Sequence, residues 1–152
     1  MDLTGWSVQY ASAAGTSWTN KTALSGSIQP GGYYLVKQAD GAGGTTDLPA
    51  PDATGTIAMA GTAGKVALVS NNTALSGACP SGGGIVDFVG YGSTATCSET
   101  APTGTLSNTT AALRNGAVMH SLEYDGTHTA SIAHGGSVVA PVAHAPLVAA
   151  AV

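Results

Sequence analysis

The residue types that could do chemistry are few, and their spacing is poor for most reactions. Asp40, Asp47 and Asp52 share one polar stretch, "DGAGGTTDLPAPD". Carboxylates and loop carbonyls suit Ca²⁺, but this stretch lacks the Asp/Asn alternation and closing Glu of an EF-hand loop. It is a weak calcium candidate, and aspartates in such loops also serve as turn formers. Asp87 stands inside the apolar run "GGGIVDFVGYG" with no histidine or second acid near it in sequence. A carboxylate that accepts backbone N–H groups is the better reading of it than a catalytic acid. His120, Ser121 and Asp125 have the residue types of a nucleophilic triad, without a nucleophile elbow or an oxyanion-hole signature. His128, His134 and His144 lie at separations that match no metal-ligand pattern. The glycines at Gly82 precede a strand instead of opening a helix, so they form no phosphate loop. Catalytic residues and cofactors are therefore not expected, and beyond the weak calcium candidate no metal site is either.

Cys79 and Cys97 remain. No C-x-x-C pair is present, which argues against zinc. Two buried, inert thiols are one reading; a disulfide is the other, and it suits a chain of exported type. Closing a loop of this size stabilises by roughly 3 kcal/mol in the chain-entropy model.

The elements that must position these groups are strands. The chain has 152 residues, the usual size of one domain, and is 43% hydrophobic but only 8% charged. Hydroxyls and backbone must solvate its surface, a style common in secreted β proteins. With four Lys and Arg in all and a net charge of −4, it has no basic stripe for direct binding of a nucleic-acid backbone. No apolar run reaches the ~20 residues of a membrane helix. Met1-Asp2-Leu3 has neither the basic nor the apolar region of a signal peptide. An exported protein would therefore be present here in mature form.

Glycine (22) and proline (7) recur too often for long helices, and short alternating runs recur between them. "GWSVQYAS" predicts a first strand with Trp6, Val8 and Tyr10 on one core-facing side. "SWTNKTALSGSI" reads as one or two short strands, and "QPGGYYLVKQA" as a turn and a strand. "TIAMA" and "GKVALVSNN" read as two strands joined by a hairpin turn at Thr62-Ala63-Gly64. "GGGIVDFVGYG" reads as a buried strand with Val86 and Phe88 on one side, and "TTAALR" as a closing strand. Adjacent Tyr33 and Tyr34 should face opposite ways. An exposed tyrosine beside Trp18 could stack on a sugar or a base. Regular short strands of this kind predict an all-β, antiparallel sandwich.

Composition shifts after Arg114: all four histidines follow it, and no lysine or arginine does. "AVMHSLEYDGTHTASIAH" reads as a hairpin turning at Asp125-Gly126. "GGSVVAPVAHAPLVAAAV" is an apolar tail in which Val138, Val139, Val142, Leu147 and Val148 could form a docking strand. The expected division is a sandwich over 1–115 and an extension over 116–152, docked as strands.

Several blocks together carry a resemblance: "DLTGWSVQYASAAGTSW", "LSGSIQPGGYYLV", "DLPAPDATGTIAMAGTAGKVALVSNNTALSGACP" and "IVDFVGYGSTATCSETAPTGTLSNTTAALR". Over roughly 2–114 the chain resembles bacterial lamin-tail domains. The resemblance implies an immunoglobulin-like β-sandwich of the kind appended to secreted nucleases, phosphoesterases and surface proteins. In it Trp6 matches the first-strand tryptophan, and Gly31-Gly32-Tyr33 the turn before a central strand. Asp87 and Gly90 match the "D-x-V-x-Y-G" strand, and Cys79 and Cys97 the cysteine pair of bacterial examples. The extension departs from the family's usual acidic, Asn-rich ending.

The function expected from these readings is non-catalytic and extracellular. The first is a structural or interaction module whose partner is itself or a neighbouring surface protein, reached through the tail. The alternative is a targeting module for polysaccharide, a surface or extracellular DNA, with Trp18, Tyr33 and Tyr34 as contacts.

Overall fold

In the computed structural model, which describes residues 1–30, 32–41, 48–107, 110–115, 118–123 and 148–151, all regular structure is strand. The elements are β1 (Ser7–Ser12), β2 (Asn20–Ala23), β3 (Tyr34–Lys37), β4 (Ala53–Thr54), β5 (Gly64–Val69), β6 (Ile85–Tyr91), β7 (Thr110–Asn115), β8 (Val118–Glu123) and β9 (Val148–Ala151). The all-β expectation holds. β2, β1, β5 and β6 pair antiparallel, in that order. β4, β3 and β9 form a second sheet that is parallel throughout, which the sequence pattern did not suggest. β7 pairs with β8, Asn115 standing opposite Val118, so β8 pairs back onto β7. The turn expected at Asp125-Gly126 lies outside the described residues.

β1 shows how the core is built. Its residues alternate between two faces, as any strand's must, but both faces are buried. Val8 joins Leu68 of β5 and Tyr34 and Val36 of β3 in one cluster, so β3 packs over this face. Trp6 is half-buried against the same cluster, and Tyr10 packs nearby with Ile57 and Tyr91. The opposite face carries Ser7, Gln9 and Ala11, with Ala67, Val69 and Phe88 beside them in register. Loops cover that face. Gln9 donates to Thr73 O (2.8 Å) and accepts from Leu75 N (2.9 Å), while Ser7 donates to Asn71 O (2.7 Å). A buried amide and hydroxyl are tolerable there because loop backbone satisfies them.

The strand expected over 56–60, with its hairpin turn, does not form. Apart from Ala39 N donating to Ile57 O (3.2 Å), this segment is held by side chains instead of a ladder. Gln38 Oε1 accepts from Ile57 N (3.2 Å), Tyr10 Oη accepts from Ala60 N (3.0 Å), and Tyr91 Oη donates to Ala60 O (2.5 Å). Once these donors and acceptors are satisfied, the segment has no need of strand partners. The short strand falls earlier, at Ala53–Thr54, where Asp52 Oδ2 accepts from Leu35 N (2.7 Å) and Asp52 N donates to Leu35 O (2.9 Å).

Candidate functional site

β6 enters the sheet through a bulge. Leu68 stands opposite Asp87, but Val69 stands opposite Ile85, so Val86 is the extra residue without a cross-strand partner. Val86 is 40% exposed, which corrects its expected place in the core beside Phe88. A bulge breaks the period-two alternation on which that expectation rested. Phe88, one pair further on, is buried as expected. Asp87 is half-buried and accepts from Phe88 N (2.8 Å), a backbone-bonding role of the expected kind.

The disulfide Cys79–Cys97 runs beside this bulge, with its Cα atoms 5.4 Å apart. Gly90 makes its approach possible, because a Cβ there would collide with the Cys97 carbonyl oxygen. Gly90 N also donates to Ser98 Oγ (3.2 Å). The disulfide, Ser81, Val86, Asp87, Ser98 and Glu99 help wall an open cleft of about 320 Å³. Among the described residues its lining carries the carboxylates of Asp87 and Glu99. Among the described residues no three His, Cys, Asp or Glu side chains stand close enough to hold a metal.

Behind the disulfide lies Lys65, whose role the sequence did not signal. It alternates with Ala67 and Val69 on the loop-covered face of β5 and is 0% exposed. Its ammonium donates to Gly15 O (2.8 Å), Ala78 O (2.7 Å) and Thr96 Oγ1 (3.1 Å). One buried cation thus ties together three loops, and two of its acceptors are the residues just before Cys79 and Cys97. Burial pushes its pKa below the usual lysine value.

The aromatic candidates do not come together. Trp18 is fully buried: its indole donates to Gly77 O (3.0 Å) and its ring lies 5.7 Å from that of Phe88. That corrects its assignment as a ligand contact. Tyr34 is also buried, donating to Ser25 O (2.7 Å), so it too presents no stacking face. Tyr33 is 79% exposed, so the neighbouring tyrosines do divide between core and surface.

The calcium candidates are likewise separate. Asp40 pairs with Lys37 (3.0 Å) and Asp52 holds β3, while Asp47 lies outside the described residues. Val138, Val139, Val142 and Leu147 lie outside them too, as do His128, His134 and His144. Val148 begins β9, which runs beside β3 with Val148 opposite Tyr34 and Ala151 opposite Lys37. No described helix is long and apolar enough to cross a membrane. No protein-family model, curated protein or solved structure matches the chain.

Proposed function

We propose that the chain is a non-catalytic extracellular interaction module, an immunoglobulin-like sandwich of lamin-tail type that associates with other copies or a neighbouring surface protein through its C-terminal tail. The observation that carries this reading is the β9–β3 ladder. β3 offers an edge on which an apolar segment of alanine and valine lies in register over four residues. Such pairing uses backbone groups, so the same edge can take an equivalent strand from a second molecule. The packing of β3 onto the four-stranded sheet supports the sandwich, and the disulfide supports an oxidising location. The resemblance of the sequence blocks supports the family.

The test is light-scattering mass and electron microscopy of the full chain and of its Ala150→Pro variant. Proline removes a ladder donor and resists a paired position. Multimers of the full chain that dissociate in the variant support the reading. Monomers in both overturn it.

A second reading, a targeting module for polysaccharide or a surface, is favoured by Tyr33 alone, whose ring is open to solvent. Saturable glycan binding that Tyr33→Ser abolishes without loss of stability would support it. Direct capture of a nucleic-acid backbone gains nothing from Lys65, which is buried, or from Lys37, which is paired.

A further inference from the structure

A strand at the margin of a sheet offers its outward backbone groups to any other chain. Among the described residues β6 is such a strand, since it ends the order β2, β1, β5, β6. Alternate residues of a strand point their N–H and C=O groups outward, and Gly90 shows which these are. Gly90 N donates to Ser98 Oγ (3.2 Å) and Gly90 O accepts from Thr103 N (3.0 Å), both away from β5. Thr103 also bridges to Tyr91 in parallel, so segment 98–103 covers the far end of the edge. The near end is broken by the bulge at Val86. Between them stands Phe88, two residues before Gly90, so its N–H points to the same outer side. Asp87 Oδ1 accepts that N–H at 2.8 Å. A carboxylate thus occupies the donor that an added strand needs.

We propose that Asp87 closes the β6 edge to a second copy of this chain. With that acceptor removed, the β6 strands of two copies pair antiparallel about a two-fold axis and join their four-stranded sheets into one. Like edges suit each other in this way because a two-fold contact matches a surface with itself. The carboxylate holds off the second copy because its bond to Phe88 N–H is local and charge-assisted. That bond must be given up before any ladder forms. The role asks only that this bond be made, whatever else the carboxylate holds. It is independent of the tail: association through β3 could fail and Asp87 would still guard β6.

The experiment uses the full chain carrying Ala150→Pro, which sets tail-mediated association aside, and adds either Asp87→Ala or Asp87→Asn. Asparagine keeps an acceptor oxygen at the position, and alanine does not. Sedimentation mass is followed over a range of concentrations, together with amide hydrogen exchange at Phe88. Asp87→Ala should rise toward the dimer mass at concentrations about tenfold below any rise in the Ala150→Pro chain, the effect of one lost charge-assisted bond. Its Phe88 amide should become more protected as concentration increases. Asp87→Asn should behave as the Ala150→Pro chain does. Adding Val86→Lys to Asp87→Ala should restore the monomer, because Val86 is exposed and an edge lysine blocks strand pairing. A merely structural Asp87 would lower the urea midpoint and move neither readout. A folded Asp87→Ala chain that stays monomeric, or one that associates while its Phe88 amide stays open, overturns the proposal. If Asp87→Ala does not fold, exchange in the Ala150→Pro chain decides. A Phe88 amide slower than an open peptide supports the guard, and one at the open rate overturns it.

Discussion

The ammonium of Lys65 lies 5.7 Å from the centre of the Trp18 ring, and neither side chain reaches solvent. Indole is the best aromatic partner for a cation, and burial strengthens the attraction. The pair also fixes the loops on which the disulfide rides. Trp18→Ala should therefore cost about 3–5 kcal/mol in denaturant unfolding, the range for large core aromatics. Were Trp18 a ligand platform, the same change would leave stability within about 0.5 kcal/mol.

The stability of the fold should turn over in the alkaline range. Lys65 has a folded pKa below its usual 10.5, so just below that value the unfolded chain binds more protons and stability rises with pH. Tyr91 has the opposite sign. Burial, and then the neighbouring Tyr10, push its pKa well above the ordinary 10.0. Its contribution is fully present below pH 10.0 and is lost as pH rises beyond it, because only the unfolded chain then ionises. Urea midpoints measured from pH 8 to 11 should climb, then fall, and Tyr91→Phe should flatten the fall.

Gly64 and Gly90 are among the close-approach positions. At Gly64 a Cβ would stand 2.6 Å from Tyr91 Oη and 2.7 Å from Tyr10 Cε2, and at Gly90 it would meet the Cys97 carbonyl. Each Gly→Ala change should cost about 1–3 kcal/mol as overpacking. Reduction of the disulfide frees the Cys97 segment, so the Gly90→Ala penalty should shrink on reduction while the Gly64→Ala penalty persists. A thermodynamic cycle measured with and without reductant checks this.

The bulge makes a sharp contrast between two valines. Val86→Thr should change stability by less than about 0.5 kcal/mol, since the side chain is exposed. Val8→Ala, at a fully buried position, should cost about 2 kcal/mol. Equal losses at the two sites would show that Val86 is packed and that the bulge is wrong.

Much of the fold was legible because β1, β5 and β6 are short apolar runs bounded by glycine. The cysteine pair was legible from composition. Residues 56–60 misled because the donors and acceptors that hold them, Gln38, Tyr10 and Tyr91, are distant in sequence. Val86 misled because alternation carries no mark of a bulge. Trp18 lies outside any strand, so no periodicity could place it. Lys65 was invisible as a buried cation because its acceptors come from loops around residues 15, 78 and 96, which only the fold brings together. The cleft was hidden for the same reason: Asp87 and Glu99 are on different segments that the disulfide draws to one side.

The parallel register of β9 on β3 has a mechanical consequence. Tension applied along β9 loads the bonds of its four paired residues together, as shear. Tension applied across the strand opens the same bonds one after another, as a zipper. A tail held in this way resists force along one axis and yields along the other, so the direction of pull, more than the number of bonds, sets how firmly it holds.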